Sequence, residues 1–208
     1  MEYIMKNFNI LLAGICLLVA VSCNQPVKEE NQMNEVIQTI MSRRSIRSYK
    51  AEPVGRDTLK TILECGINAP NGQNKQSWEV RVVDNPALLD EMLETMAAAH
   101  DGMPFAKECF RGAPVMVFIA RDTTYPFSAY DCGLMAQNIM LSATSLGVGS
   151  ICLGSPVHFL TDNDLCKPYI ERLDFSEGYE LCLCVGLGYA NESPEAKPRE
   201  TSKIKFVE

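Results

Sequence analysis

The chain has 208 residues, with 19 Lys and Arg against 26 Asp and Glu, a formal net charge of −7. That balance leaves no basic face broad enough for nucleic acid, and two histidines with no CxxC pair argue against a zinc site. Hydrophobic residues make up 47% and charged residues 22%, the composition of a globular protein rather than a disordered one.

Residues 1–22 read as an export signal. Lys6 precedes a twelve-residue apolar run, Ile10 to Val21, after which Ser22-Cys23 opens a polar tract reaching Met33. The run is well short of the ~20 residues that span a bilayer comfortably. Met5-Lys6-Asn7 opens a more conventional signal than Met1 does. Ala20-Val21-Ser22-Cys23 resembles a bacterial lipobox with Ala20 where Leu is usual, so Cys23 is the expected lipidated first residue of the mature chain. Ordinary cleavage and an uncleaved anchor are the alternatives. Residues 23–33 then form a tether, and the expected location is the membrane, on the periplasmic or cell-surface side, or the cytoplasm if the signal is not used. Removing the signal leaves 186 residues, enough for one well-buried domain over residues 34–208 and too few for two.

A helix is expected from Met33 to Ser42, and another from Asp57 to Ile67, where Leu59, Ile62, Leu63 and Ile67 share a face. Ala69-Pro70-Asn71-Gly72 ends it and opens a polar loop through Gln76. Trp78 to Val83 alternates like a half-buried strand, and Pro86 opens a helix to about Ala98. His100 to Gly112 reads as a mobile stretch. Pro114 to Ala120 and Val148 to Leu153 read as strands, and Leu181 to Leu187 as a strand covered on both faces. Between them Phe127 to Leu146 is apolar nearly all round, so it must be buried on every side, at the centre of the domain or in a dimer interface. His100 and His158 read as a loop residue and a turn residue. The seven cysteines from Cys65 to Cys184 read as small core hydrophobes, and Cys182-Leu-Cys184 has strand spacing, which points both thiols to one face. The fold class is α+β.

Two basic clusters stand apart in this acidic chain: Arg43-Arg44-Ser45-Ile46-Arg47, and Lys197-Pro198-Arg199 about 150 residues later. Arginines following a helix commonly just compensate its C-terminal dipole. Brought together, the two clusters would instead surround one anion, with planar guanidinium forks and the Ser45 hydroxyl as donors.

Five segments together resemble the FMN-dependent nitroreductase family: Ser42-Arg-Arg-Ser-Ile-Arg-Ser-Tyr49, Ala69-Pro-Asn-Gly-Gln-Asn-Lys-Gln-Ser-Trp78, Asp131-Cys-Gly133 with Gln137-Asn138, Leu146 to Gly154, and Leu187-Gly-Tyr189 with Lys197-Pro-Arg199. They follow the family's order and spacing over residues 34 to 205. The resemblance implies a central, mostly antiparallel sheet surrounded by helices, in an entwined homodimer with FMN sites built from both chains. It implies that Arg43, Arg44, Ser45, Lys197 and Arg199 hold the FMN phosphate, that Arg47 reaches the pyrimidine edge, and that Pro70, Asn71, Gly72 and Asn74 line the partner subunit's flavin, with Gln76 and Trp78 fixing their loop. Leu153, Gly154 and Ser155 are implied beside flavin N5, with the Gly154 N–H directed at that atom. Ser77 stands where the family usually has Pro, read as a change in loop rigidity with little chemical meaning, and Asn71-Gly72 replaces a common hydroxyl pair.

The implied activity is ping-pong hydride transfer from NAD(P)H through the flavin to a nitroaromatic, a quinone or another small electron acceptor. No catalytic side chain and no metal are expected, because the flavin carries the chemistry. A reductive dehalogenase-like or enone-reducing flavoenzyme is an alternative, as is a non-enzymatic flavin-binding surface lipoprotein, since an exported enzyme would lack ready access to NAD(P)H.

Overall fold

The computed structural model describes residues 34–101 and 103–208. The export signal, Cys23 and the tether lie outside the described residues. Helix α1 (Glu35–Ser42) leads into the first basic cluster, and α2 (Arg56–Ile67) follows. A single 3₁₀ turn, Gly72–Asn74, precedes strand β1 (Trp78–Val83) and helix α3 (Pro86–Ala99). Asn85 caps α3 by accepting from the Leu88 N–H at 3.3 Å, with Pro86 in the first turn, where its missing N–H costs nothing. Strand β2 (Val115–Asp122), helix α4 (Ser128–Ser145) and strand β3 (Gly149–Leu153) come next. Two short helices, α5 (Ser155–Thr161) and α6 (Lys167–Leu173), lead to β4 (Tyr179–Gly188).

The strands form one antiparallel sheet in the order β1-β2-β4-β3. Strand β4 is therefore central, as its continuous apolar run requires, and its side chains divide between two cores. On one face Phe118, Cys184 and Leu153 pack with Met92 and Met96 of α3, Leu160 of α5 and Tyr169 of α6. On the other, Val117, Ile119, Val185 and Leu187 pack with Ile62 of α2 and Met135 and Ile139 of α4.

The structure refines several of these expectations. Helices α5 and α6 have no counterpart in the sequence reading; each is only seven residues and opens on a proline, so no apolar period can repeat long enough to be seen. His158 thus lies on a helix rather than a turn, and His100 caps the end of α3 with its Nε2 3.0 Å from the Phe159 carbonyl. The stretch after His100 is anchored, because Ala106, Cys109 and Phe110 are buried and the Phe110 ring meets Phe118 edge-on at 6.1 Å. Helix α4 is not covered on every side within one chain: Tyr130 is 70% exposed and Leu134 45%. Finally, a β-bulge separates the two thiols expected on one face. Ile119 pairs with Leu183 and Ala120 with Leu181, leaving Cys182 as the extra residue. The bulge turns Cys182 toward the α4 core while Cys184 lies in the opposite one. Nor are all seven thiols core residues, since Cys65 and Cys152 are exposed.

Candidate functional site

The first basic cluster is held by the sheet. The Ile46 N–H donates to the Ser150 carbonyl at 3.0 Å and Ser45 bridges to Ser150, so residues 45–46 run beside the free edge of β3. The Lys50 N–H then donates to the Tyr189 carbonyl at 2.8 Å, tying the same segment to the chain beyond β4. The Glu192 carboxylate accepts from the backbone N–H groups of both Arg47 and Ser48. The sequence after β4 is thereby folded back across the first cluster. Arg43, Arg44, Ser45 and Arg47 come to line one cleft of about 130 Å³ together with Pro194, Glu195, Lys197 and Arg199. Two clusters far apart in sequence are one feature in space. Pockets for drug-sized ligands run to ~300 Å³ and above, so this cleft suits a single small anionic group.

The donors in it are not equally committed. Arg43 Nη1 is buried and has no hydrogen-bond partner. A buried unsatisfied donor costs roughly 1–3 kcal/mol, and more when charged. An anion in the cleft would remove that cost, and a phosphate fits this donor set. Arg44 is spent differently: its Nη1 donates at 2.8 Å to the carbonyls of both Met41 and Arg43, closing the C-terminal end of α1. That is the ordinary duty of an arginine after a helix. Arg47 and Arg199 donate locally, to the carbonyls of Ser45 and Lys197 at 3.1 Å each, bonds an incoming anion can replace.

A second constellation lies on the loop between α2 and β1, outside that cleft. Gln73, Asn74 and Gln76 have φ of 56°, 54° and 50°. Left-handed backbone is uncommon for residues other than glycine, and such strain concentrates at functional sites. One carboxylate holds both ends of the strained segment. Asp131, in the first turn of α4 and only 3% exposed, accepts from the Gly72 N–H at 3.1 Å and from the Ser77 hydroxyl at 2.8 Å. Inside the loop Asn71 Oδ1 accepts from the Gln76 N–H at 2.9 Å. Lys75 lies over the Tyr125 ring, 4.6 Å from its centroid, and a Cβ at position 72 would fall 2.0 Å from the Tyr125 hydroxyl, so any larger residue there would have to displace the Tyr125 side chain. Ser77 therefore has a defined chemical role, which corrects the expectation that it is a rigidity change alone. Gln76 contributes its backbone rather than its side chain, and Trp78 is packed into the α4 core.

Pro70 and Asn74 are exposed, Asn71 and Gly72 half-buried, and none of the four lines the basic cleft of its own chain. Leu153 is buried at the end of β3, and Gly154 and Ser155 open α5 at the surface. Nothing inside the chain demands glycine at 154. Its φ is −92° and an added Cβ would meet no atom within 4 Å, leaving that backbone open to a close approach from outside. Asp131 and Glu192 are the residues whose part the sequence did not disclose. The Asp131-Cys-Gly133 spacing marks a position but not that its carboxylate reaches back 59 residues to Gly72.

Among the described residues no group of His, Cys, Asp and Glu could hold a metal ion, and no helix is long and apolar enough to cross a membrane. The model of the Nitroreductase family matches residues 40–189. The NADPH-flavin oxidoreductase of Vibrio harveyi is 30% identical over 175 residues, covering 80% of this chain and 70% of that protein. A nitroreductase of Desulfitobacterium hafniense, solved with bound FMN, superposes with a TM-score of 0.75 at 35% identity, over 85% of this chain and all of the other. The Bacteroides fragilis nitroreductase, also with FMN, gives 0.76 at 29% identity over 84% of this chain and all of the other.

Proposed function

The chain belongs to the nitroreductase family, and from that membership we propose that it is an FMN-dependent oxidoreductase that takes hydride from NAD(P)H and delivers it to a small acceptor, a nitroaromatic or quinone. The observation that carries this reading is the cleft where both basic clusters meet, lined among others by Arg43, whose Nη1 is buried without a partner. Bound FMN supplies a centre that accepts and releases two electrons with a proton at ring N5.

The chain's own residues bind and orient it. Arg43, Ser45, Lys197 and Arg199 neutralise and hydrogen-bond the phosphate. Arg44 adds charge while its Nη1 remains on the end of α1. Arg47 sets a cation at the pyrimidine edge, which favours the reduced cofactor's negative charge. Leu153, Gly154 and Ser155 leave their backbone free for the ring edge. Donor and acceptor would react with bound FMN in turn, so ping-pong kinetics are expected.

The site is completed by a second copy of the chain. On α1, Ile37, Ile40 and Met41 are exposed, as are Phe127 just before α4 and Tyr130 and Leu134 on it, and near the C-terminus Phe206 is 95% exposed. Apolar surface of that extent supports an interface, and the homodimer brings Pro70, Asn71, Gly72 and Asn74 of each chain to the other's flavin. The apolar run ending at Ser22-Cys23 supports export and lipid anchoring at Cys23. Intact-mass spectrometry of native protein tests this: a lipidated chain starting at Cys23 is expected, and an unmodified chain starting at Met1 or Met5 would remove export.

The test of the cleft is an FMN titration of variants. Arg43→Ala and Arg199→Ala each remove a charge-assisted contact worth roughly 1.5–3 kcal/mol, so Kd should rise about ten- to a hundredfold. Lys60→Ala, on α2 and far from the cleft, should leave it unchanged. Equal effects at all three positions would mean that the clusters are only solvated charge.

A further inference from the structure

We propose that Cys132 and Cys182 form a redox-active dithiol, a site that reacts with a small-molecule disulfide and closes into an intrachain disulfide between α4 and β4. The geometry begins with the bulge. Cys182 is the unpaired extra residue of β4, opposite the Ile119–Ala120 step, and it packs into the α4 core. Cys132, one turn into α4, is fully buried, and its Sγ lies 3.6 Å from the carbonyl oxygen of that same Ala120. Without the bulge, residue 182 would share the face of Cys184, in the opposite core. The extra residue turns the second thiol into the core that holds the first, beside the Ile119–Ala120 step that Cys132 contacts.

The two are chemically unequal, as an attacking and a resolving thiol need to be. Contact with Cys132 and the nearby Arg121 guanidinium lower the Cys182 thiol against the effect of burial. Contact with Cys182 and burial raise the Cys132 thiol. Cys182 is half-buried, whereas Cys132 is fully buried. Among the other described cysteines, Cys109, Cys166 and Cys184 lie buried together in the opposite core. Cys65 and Cys152 are exposed, and the Cys109 thiol faces Met96 Sδ at 3.9 Å, with burial pushing it up to about 12.

The reaction balances as two exchanges. The Cys182 thiolate attacks one sulfur of the disulfide RSSR, forming a Cys182–SR mixed disulfide and releasing RS⁻. Cys132 then attacks the Cys182 sulfur, and the second RS⁻ leaves, with the Cys132 proton passing to it. Two protein thiols are oxidised by two electrons, and one RSSR is reduced to two thiols. The new bond would fix α4 to β4 next to Asp131, which clamps the Gly72–Ser77 loop. Only that consequence for the loop rests on the proposed function; the thiol chemistry does not.

The test uses the full flavin-loaded chain, treated with oxidised glutathione, quenched in acid, denatured, alkylated with iodoacetamide and mapped by peptide mass spectrometry. The expected map shows the Cys132 and Cys182 peptides joined, two hydrogens lighter than their sum, while Cys65 and Cys152 are alkylated. In Cys132→Ser, Cys182 should carry a stable glutathione adduct, because the resolving thiol is gone; in Cys182→Ser, Cys132 should be alkylated only. Glutathione on Cys65 or Cys152, with Cys132 and Cys182 both alkylated, would overturn the proposal. That wild-type map decides the matter even if a serine variant fails to fold. Because it reads no turnover, a protein inactive toward nitro compounds could still give the linked peptide.

Discussion

Asp131 does with one carboxylate what would otherwise need two residues: it fixes Gly72 and Ser77, the two ends of a loop that holds three left-handed non-glycine residues. Such backbone persists only when its surroundings over-determine it. Asp131→Ala would leave the Gly72 N–H and the buried Ser77 hydroxyl without an acceptor. Each lost acceptor costs roughly 1–3 kcal/mol. Urea denaturation should therefore show a lower midpoint with an unchanged slope, and Asp131→Asn, which keeps one carbonyl acceptor, should fall between that variant and the parent. If the loop lines the partner's flavin, FMN affinity should drop in the same order. A midpoint for Asp131→Ala equal to that of the parent chain would show that the clamp contributes nothing.

Among the elements, long segments with an unbroken apolar period were legible from sequence, and short or irregular ones were not. The α2 face and the β4 run each repeat often enough to be read, and each is where expected. Helices α5 and α6 are two turns each, and the Cys182 bulge is one inserted residue, which strand spacing cannot register. The cleft was half legible. Charge clustering and family resemblance pointed to Arg43, Arg44, Ser45, Arg47, Lys197 and Arg199, yet nothing local shows which of the arginines turns back to cap α1 or that Glu192 ties the far segment down. Apolar residues all round α4 fit either the centre of the domain or a dimer interface, and the side exposed in one chain is the one a second chain would cover. Tyr130→Asp would place a charge in that interface. A largely monomeric species with reduced flavin content is expected by light scattering, and an unperturbed dimer would remove α4 from the contact.

For the whole molecule, the topology explains why the basic cleft draws on both ends of the domain. The free edge of β3 receives residues 45–46, and the segment beyond β4 returns over them, so the basic residues converge only once the sheet is complete. Binding at such a site stabilises only the folded chain, and FMN should raise Tm with its concentration. The measurement that tests the account most directly is an anaerobic titration of the protein, as purified from flavin-replete cells, with NADPH or NADH while the visible flavin absorbance is followed. The account predicts a yellow protein carrying FMN equimolar with the chain, bleached by a stoichiometric amount of nicotinamide and recoloured by a nitroaromatic or quinone. A colourless protein that binds no added FMN, or bound FMN that neither nicotinamide reduces, would contradict it.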